Sequence, residues 1–558
     1  MVQIIRRPFR TAPQQFSPDW HPVVRDIYAA RVDSAAEVEK KLQLLQSPQA
    51  LPDIALAAET LARAIRGGED ILIYGDYDVD GASAAALMMR VLRKLGARVR
   101  YFVPNRMAHG YGLSPAGLAA CSPLPDVLVT VDNGTRSHEA AADLLAQGVK
   151  LIITDHHEPD AQLPPAVAVV NPKRHDSRFA SPHLAGVGVV FYLLLALRRH
   201  YVEQGWDFAC QLTDYLDLVA LGTVADIVPL DFNNRILVQA GMQRLQSAKG
   251  NLGLRALCAV ANLNPAVLLP SDIGFALAPR LNAVGRLEDM HDGVELLLCD
   301  DWATAGDYAE QLDLLNRDRK ALESEMCSRA MQVIDEKQAI ASAYLPDAHE
   351  GVIGIVAARI KSRFARPALV ATDAQESGKI KASLRSVQGV NIHELLAFAA
   401  QSLPPQVLQF GGHALAAGLT VQQEYYAALI EALNAAFYQH IGLQAPEAAI
   451  YVDGELPPDM LHIDWARYLE KLEPWGSELP APQFYNRFQV IECRQLGAQH
   501  TRMNLRHLQT GQQIAATWFF QVADFRYGDT IGAVFQMQVN RFFGDERLNL
   551  LISHAALA

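Results

Sequence analysis

Three apolar segments of this chain are each followed by an acidic motif, and this arrangement restricts the fold more than any other feature. The segments are residues 71–74, 127–131 and 151–154, and each reads as a buried β-strand. The motifs that follow them are Asp76-Tyr-Asp78-Val-Asp80-Gly81, Asp132-Asn133-Gly134 and Asp155-His156-His157. Ligands of an open α/β sheet gather beyond the carboxyl ends of its strands, so these side chains are expected to meet in one crevice.

A group of carboxylates at one edge of a sheet is unstable unless a cation neutralises it. Carboxylate oxygens with one or two imidazoles suit Mn²⁺ or Mg²⁺ better than a metal that prefers thiolates. Asp226 extends the group, because it interrupts the apolar segment 218–229 and a lone buried carboxylate is costly. The pattern therefore predicts a site for two divalent ions.

Each motif has a less specific interpretation when it is taken alone. An aspartate after a strand, such as Asp132, is often the N-cap of a helix. Adjacent histidines such as His156 and His157 are often structural. Three such motifs in order, each with a glycine or proline close behind, are not expected from three independent caps. Their joint occurrence favours the metal site.

The order of strand and helix patterns predicts an α/β protein of several domains, as expected for 558 residues. The pattern alternates up to about residue 230, which predicts a parallel sheet with helices on its faces. The expected divisions are an N-terminal lead with a helix over 35–45 (1–50), a parallel-sheet domain with a helical extension (51–298), a long connecting helix (299–338), a second α/β domain (339–445), and a linker with a small β-barrel (446–558).

The net charge of −12 argues against a nucleic-acid partner, but the last part of the chain has a different balance. From Phe484 onward, seven arginines stand against five acids, and aromatic residues lie among them. The arginines are Arg487, Arg494, Arg502, Arg506, Arg526, Arg541 and Arg547, and the aromatics are Phe484, Tyr485, Phe488, Trp518, Phe519, Phe520, Phe525, Tyr527, Phe535, Phe542 and Phe543. This mixture is typical of single-strand binding, although it also fits a barrel core with a solubilising surface.

The cysteines and the apolar segments indicate the cellular compartment in which the protein is expected. Six cysteines are spread along the chain without a CxxC pair, which suits a reducing cytoplasm better than a disulfide framework. The N-terminus lacks the apolar core of a signal peptide. The most apolar segment, 184–197, is shorter than a membrane span and is expected to form a buried helix.

The ordered motifs DYDVDG, VDNG, DHHEP and GTVADIVPL resemble those of the DHH phosphoesterase superfamily. Two later segments, APRLNAVGR (278–286) and GGHALAAG (411–418), resemble the exonuclease branch of that superfamily. The resemblance extends from the first strand to the C-terminus. It implies a DHH domain, a DHHA1 domain and an oligonucleotide-binding (OB) barrel. It also implies a metal-dependent exonuclease that degrades single-stranded DNA from the 5′ end in recombination and repair, with single-strand-binding protein as a partner.

By this resemblance the metal ligands are Asp76, Asp78, Asp80, Asp132, His156 and Asp226. Three alternate aspartates cannot all point one way on a regular strand, so a tight turn ending at Gly81 is expected to bring two or three of them together. Asp132 is expected to bridge the two ions. Some relatives have a histidine where Tyr74 stands here, so their full ligand pattern is not expected in this chain.

The remaining site residues divide into a catalytic pair and a substrate-contacting group. Asp155 is expected to orient an imidazole, and His157 either contacts the scissile phosphate or donates a proton. Arginines, a hydroxyl and an imidazole in glycine-containing segments are expected to hold the terminal phosphate and the strand, and Tyr111 is expected to stack on a base. The substrate-contacting group is Arg280, Asn282, Arg286, Ser383, Arg385, Gly412, His413 and Tyr111.

Two other functions remain open at this point. A DHH phosphodiesterase acting on oligoribonucleotides or cyclic dinucleotides would use the same metal motifs, but it needs no long strand-binding tail. A noncatalytic DNA-binding scaffold on this fold would not need every acidic motif. Deletion of the region from about 450 is expected to separate the first two functions, because it should weaken long DNA far more than a dinucleotide. Titration with metal tests whether the protein is a noncatalytic scaffold.

Overall fold

The computed structural model describes residues 2–106, 108–335, 337–440, 449–497, 500–541 and 545–558. These residues form two compact units. One unit contains the described residues between 311 and 440 with 286–288 and Val2, and the other contains the remaining described residues. The predicted boundary at residues 445–446, and the aromatic residues Phe542 and Phe543, lie outside the described residues. No helix among the described residues is long and apolar enough to cross a membrane.

The N-terminal segment contains little regular structure. Strand β1 is Gln3–Arg6 and helix α1 is Pro22–Ala29, which begins at a proline, as a first helical position permits. The helix predicted over residues 35–45 is wrong, because the structure has two short 3₁₀ turns there, Ala35–Val38 and Leu42–Leu44. Tertiary ion pairs from Glu37 and Lys40 take precedence over the local helix propensity of this segment.

The first domain is a five-stranded parallel sheet, in the order β3-β2-β4-β5-β6, followed by a helical extension. The predicted parallel sheet is therefore confirmed. Its strands are β2 (Asp70–Tyr74), β3 (Arg98–Phe102), β4 (Val127–Val131), β5 (Lys150–Thr154) and β6 (Ala168–Val170). The helices are α2 (Ile54–Gly67), α3 (Val79–Lys94), α4 (Pro115–Ala119), α5 (His138–Ala146), α6 (Gly186–Glu203), α7 (Leu216–Ala225), α8 (Phe232–Gln246), α9 (Leu252–Val260), α10 (Pro270–Asp272), α11 (Ala278–Leu287) and α12 (His291–Leu298).

Helices surround this sheet because its inner strands β2, β4 and β5 are largely apolar on both faces, and strand β4 is buried at every residue. Helix α6 contains the most apolar segment of the chain and is buried along most of its length, as expected for an internal helix rather than a membrane span. A single π-turn, Ile273–Leu277, precedes α11.

The predicted long connecting helix is present as α13, Trp302–Val333. The second α/β domain follows, with a five-stranded mixed sheet in the order β10-β11-β9-β8-β7. Its strands are β7 (Ala341–Tyr344), β8 (Ala368–Asp373), β9 (Lys379–Arg385), β10 (Leu408–His413) and β11 (Ala416–Gln422), and its helices are α14 (Glu350–Phe364), α15 (Ile392–Ala400) and α16 (Tyr426–His440).

The C-terminal region is a closed barrel in the order β13-β14-β15-β17-β16, which confirms the predicted small β-barrel. Before it come β12 (Ala449–Val452) and α17 (Ile463–Leu472). The barrel strands are β13 (Phe484–Leu496), β14 (His500–His507), β15 (Gln513–Trp518), β16 (Thr530–Asn540) and β17 (Arg547–Leu557). Strand β12 pairs in parallel with the N-terminal strand β1, so the N-terminal segment and the region leading into the barrel share one small sheet.

Candidate metal centre and substrate-contacting residues

The carboxyl ends of the central strands bring the acidic motifs together. Asp132 and Asp155 directly follow strands β4 and β5, Asp76 comes two residues after β2, and all three are buried. Asp132 has a φ of 66°, a left-handed conformation that is uncommon for a residue other than glycine. Strain of this kind persists where the surroundings enforce it, and it is frequent at functional sites.

The first motif forms the start of a helix rather than the predicted tight turn ending at Gly81. Asp78 is the N-cap of α3, and its Oδ1 accepts a hydrogen bond from the Gly81 backbone N–H at 3.0 Å. A Cβ atom on Gly81 would lie 2.6 Å from the backbone oxygen of Asp76. Only glycine allows this approach, which places Asp76, Asp78 and Asp80 at one end of the sheet.

Asp80 is held by the N-terminus of α6. Its two carboxylate oxygens accept the backbone N–H groups of Gly186 at 2.6 Å and of Val187 at 2.9 Å. A Cβ on Gly186 would lie 2.5 Å from the Cβ of Asp132, and one on Gly222 would lie 2.5 Å from Oδ1 of Asp80. Two glycines therefore make room for the carboxylates.

The imidazole of His156 lies close to three of the carboxylates. Its Nε2 is 3.1 Å from Oδ1 of Asp132, 3.5 Å from Oδ2 of Asp226 and 3.9 Å from Oδ2 of Asp80. Three sets of side chains each place their ligand atoms within 4.8 Å of one another. They are Asp76 with Asp78 and Asp132, Asp80 with His156 and Asp226, and Asp132 with His156 and His157. Asp132 belongs to the group with Asp76 and Asp78, and it lies 3.1 Å from His156 of the group with Asp80 and Asp226, so it adjoins both of these groups.

The ionisation of these carboxylates fits a site built for cations. Burial and the charges of neighbouring aspartates raise the pKa of Asp76, Asp132 and Asp226 well above the usual range, and the same causes raise the pKa of Asp80 to about 7. Oδ1 of Asp76 is buried and has no hydrogen-bond donor among the described residues. Five carboxylates and one imidazole suit two hard divalent ions.

Asp155 differs from the other aspartates because its oxygens are already occupied. They accept the backbone N–H groups of Thr135, His156 and His157, and Oδ1 lies 2.7 Å from Nδ1 of His157. Burial alone would raise the pKa of Asp155, but the hydrogen bond and charge of His157 bring it below its usual range. This arrangement fixes the orientation of the imidazole, as a carboxylate hydrogen-bonded to a histidine does at many metal sites.

His157 reaches the open side of the site. Burial would lower its pKa, but Asp155 outweighs burial and raises it to about 9, so the imidazole carries a proton at neutral pH. Its Nε2 is 3.1 Å from the hydroxyl of Tyr111, whose ring is exposed in a loop with positive φ at Gly110 and Gly112. By contrast, burial and His157 lower the pKa of His156 to about 3, which leaves its imidazole neutral.

Sequence reasoning missed several residues that shape the site. Besides Gly186 and Gly222, Asn171 is buried and donates from Nδ2 to the backbone oxygen of His157 at 2.8 Å and to Oγ1 of Thr135 at 3.0 Å. Asn171 directly follows strand β6, so the strand-end criterion applied to the other motifs would have found it. Gly186 and Gly222 contact carboxylates that are distant in sequence, so no local sequence pattern indicates their role.

Tyr74, at the position where some relatives have a histidine, contributes to packing. It is buried, and its hydroxyl donates to the backbone oxygen of Gly112 at 3.1 Å. Its ring contacts Phe102 with centroids 5.4 Å apart. Tyr74 thereby anchors the loop that carries Tyr111.

Three of the predicted substrate-contacting residues lie on one surface of the second α/β domain. In the sheet order β10-β11-β9, His413 pairs with Ala416, which pairs with Arg385. The adjacent row is Gly411, Gly418 and Ser383, so two glycines leave a shallow floor beside the charged residues. Nη1 of Arg385 lies 3.0 Å from Oγ of Ser383. Gly412 belongs to the same hairpin, with its side-chain position on the opposite face.

The remaining predicted contacts lie on helix α11. Arg280 donates to the backbone oxygen of Ala276 at 2.7 Å, and Asn282 follows one half-turn later. Arg286, which belongs to the same compact unit as the second α/β domain, donates to the backbone oxygen of Gly351 at 3.2 Å.

The barrel separates its aromatic residues into core and surface. Phe484, Phe488 and Phe535 are fully buried in the barrel core, as the less specific interpretation expected. Phe519 and Phe520 are exposed and pack against His500, with ring centroids 5.3 and 5.1 Å apart.

Two arginines face one another near this aromatic cluster. Arg494 and Arg502 are exposed and directly opposite in the β13–β14 pair. Like charges directly opposite one another destabilise a sheet, and Glu492, 3.8 Å from Arg494, offsets part of this repulsion. The outer face of β13–β15 therefore combines positive charge with exposed rings at one end, as single-strand-binding barrels do.

Three family models match the chain. The DHH family N-terminal domain matches residues 70–223, the DHHA1 domain matches residues 337–439, and the RecJ OB domain matches residues 452–554.

Two curated relatives match along nearly their whole length. The chain is 39% identical to the single-stranded-DNA-specific exonuclease RecJ of Dickeya dadantii, over 99% of both chains. It is 38% identical to that of Escherichia coli, over 96% of this chain and 95% of the relative.

Solved structures of a RecJ from Thermus thermophilus have the same fold. The complex with Mn²⁺ superposes with a TM-score of 0.83 at 28% identity, covering 100% of this chain and 79% of that one. The complex with Mg²⁺ superposes with a TM-score of 0.76 at 26% identity, covering 100% and 78%.

Proposed function

Because this chain belongs to the RecJ family of DHH phosphoesterases, we propose that it is a metal-dependent exonuclease that degrades single-stranded DNA from the 5′ end to mononucleotides. The observation that carries the proposal is the pair of ligand groups that meet at Asp132. We further infer a role in recombination and repair in the cytoplasm, where the six free cysteines would remain reduced, with single-strand-binding protein as a partner.

The chain's own side chains would hold the metal ions and orient the substrate. Two bound divalent ions in such a site activate a water and offset the charge that develops on the phosphodiester. Asp76, Asp78, Asp80, Asp132, His156 and Asp226 would hold them. His157 carries a proton at neutral pH and faces the open side, so it would contact the scissile phosphate as a cation. Asp155 keeps that imidazole protonated and fixed in orientation.

The two other functions explain less of the chain. A phosphodiesterase of dinucleotides has no use for a barrel with exposed rings and arginines on one end. A noncatalytic scaffold has no use for buried groups of carboxylates and imidazole that could hold metal ions, with Asp155 orienting a neighbouring histidine. Both sets of features are accounted for by an enzyme that holds a long strand while it cuts the end.

The direct test is digestion of 5′- and 3′-labelled DNA, single- and double-stranded, with Mn²⁺ or Mg²⁺. We expect labelled mononucleotide to appear first from 5′-labelled single strands and only when metal is present. Release from the 3′ end, or equal attack on duplex, would contradict the proposal.

Arg385 is expected to recognise the 5′-terminal phosphate, with Ser383 and His413 beside it. The Arg385→Ala variant should lose the preference for a 5′-phosphate over a 5′-hydroxyl by about ten- to a hundredfold, since a charge-assisted hydrogen bond is worth roughly 1.5–3 kcal/mol. The ratio of kcat/KM for the two substrates measures this preference. The Lys379→Ala variant is a matched control on the same strand, because that lysine pairs with Glu376 at 2.8 Å. An unchanged ratio in Arg385→Ala would reject the phosphate site.

The outer face of the barrel is expected to hold the strand beyond the active site. Replacing both Arg494 and Arg502 by glutamine should raise KM for a long strand and flatten its salt dependence, because two phosphate contacts are lost. A very short oligonucleotide should be cut almost as before.

A double variant elsewhere on the surface controls for net charge. Arg63→Gln with Arg199→Gln removes the same formal charge from exposed ion pairs on helices α2 and α6. If both double variants show the same salt slope as the unmodified protein, the barrel arginines serve only solubility.

A further inference from the structure

The loop that follows the metal ligand Asp226 is strained. Ile227 has a φ of 59°, and a left-handed conformation is an outlier for a β-branched residue. The residue is 71% exposed, so packing of its side chain does not stabilise this backbone. Such a conformation persists only where surrounding contacts enforce it. The position of Asp226 therefore depends on what holds residues 227–231.

One set of contacts on this loop comes from the chain just before the barrel. The backbone N–H of Leu230 donates to the backbone oxygen of Ser477 at 2.9 Å. A Cβ on Gly476 would lie 2.6 Å from Cδ1 of Leu230, so the two segments are in close contact. On the other side, Asp231 accepts a hydrogen bond from Ser181 at 2.6 Å and caps α8.

Residues 473–480, here called the brace, are themselves held firmly. Gly476 and Leu479 exchange two backbone hydrogen bonds of 3.0 and 3.2 Å and close a tight turn. The indole N–H of Trp475 donates to the backbone oxygen of Leu469 at 2.7 Å. Nε of Arg31 donates to the backbone oxygen of Pro480 at 2.8 Å.

Buried ion pairs fix both ends of the brace. Glu473 pairs with Lys40 at 2.5 Å and lies 3.8 Å from Nη1 of Arg235, the first-turn arginine of α8, and these side chains are almost fully buried. Arg31 binds Asp453 through two hydrogen bonds of 2.6 and 2.8 Å. Removing one partner of a buried pair is strongly destabilising, so these contacts resist displacement.

We propose that the brace is a positioning element of the metal centre, which holds the loop after Asp226 in its strained conformation so that this carboxylate reaches His156 and Asp80. The inference rests on the proposed function, because it assumes that metal binds at that site. The segment leading into the barrel thus contributes to hydrolysis in addition to any contact with DNA. Deletion from about residue 450 would therefore impair cleavage of short substrates as well as long ones, so this deletion does not separate the two enzyme functions in the way that the sequence alone suggested.

The Gly476→Ala variant tests the brace. Gly476 does not have a positive φ, so alanine strains no backbone there. Its methyl group would meet the Leu230 side chain, which is buried and has little room to turn aside. We expect Mn²⁺ binding to the DNA-free protein, measured by electron paramagnetic resonance, to weaken by about tenfold. Without the brace, metal binding would itself have to restore the strained conformation of Ile227, and this factor is of the size expected for one strained residue. The kcat for a short oligonucleotide should fall, while KM for a long strand stays unchanged.

A second substitution distinguishes positioning from general damage. In the Gly476→Ala background, Ile227→Gly should restore most of the Mn²⁺ affinity, because glycine adopts the left-handed conformation without strain. Gly306→Ala is the matched control, since it adds a methyl group in open space on helix α13 and should leave affinity unchanged.

The outcomes separate this inference from the proposed function. A Gly476→Ala protein that is folded, by circular dichroism, and binds Mn²⁺ as the unmodified protein does would overturn the positioning role. A double variant no better than Gly476→Ala alone would also overturn it. Absence of Mn²⁺ binding in the unmodified protein would instead count against the proposed metal-dependent activity.

Discussion

Replacing Asp132 by alanine is expected to lower the turnover number on single-stranded DNA by several orders of magnitude. This carboxylate adjoins both groups of ligand atoms, so its loss affects water activation and charge neutralisation together. DNA binding should largely survive, because the barrel and the Arg385 surface are untouched. Single-turnover kinetics with Mn²⁺ measures the first effect, and an equilibrium binding titration measures the second.

Asp143→Ala is a suitable control for this variant. Asp143 lies on helix α5 of the same domain, outside the ligand groups, and its removal changes net charge equally. Its turnover should match that of the unmodified protein. Single-turnover rates near normal in Asp132→Ala would remove Asp132 from the proposed metal centre.

Replacing Gly186 by alanine is expected to lower turnover by about a hundredfold, although this residue has no functional group. The new methyl group would lie 2.5 Å from Cβ of Asp132, and the backbone N–H of the same residue holds Asp80. The two carboxylates must then move, and a shift of about 1 Å at a catalytic centre costs roughly that factor. Turnover and Mn²⁺ affinity should fall together.

Gly188→Ala provides the comparison within the same helix. A methyl group there would meet only the flexible Leu184 side chain, at 3.1 Å. We expect this variant to retain nearly normal turnover and affinity. Equal losses in the two variants would attribute the effect to helix α6 as a whole instead of to the contact with Asp132.

The sheet and the acidic motifs could be predicted because their signals are local. Apolar segments such as 127–131 are recognised by composition, and parallel strands place their ends at one edge. The contacts of Gly186 and Gly222 with the carboxylates could not be predicted in this way. They join residues from 54 to 142 positions apart, and a glycine in an apolar helix gives no sign of what approaches it.

The failed helix over residues 35–45 has a related cause. Its residues have good helix propensity, but Glu37 and Lys40 are drawn into ion pairs with Arg235 and Glu473. Local propensity is worth at most about 0.7 kcal/mol per ordinary residue, whereas loss of a partner from a buried ion pair costs several times more. A single sequence does not reveal such partners.

The parallel pairing of β1 with β12 has a consequence for synthesis of the chain. Residues 3–6 are made more than 400 residues before their partners, residues 449–452. At roughly 5–20 residues per second, the first strand waits on the order of 20–90 s for its partner. During that time the hydrogen-bonding edge of β1 is unpaired. Arg31 and Lys40 likewise cannot yet form their ion pairs with Asp453 and Glu473. The beginning of the chain is thus among the last parts to reach its final place.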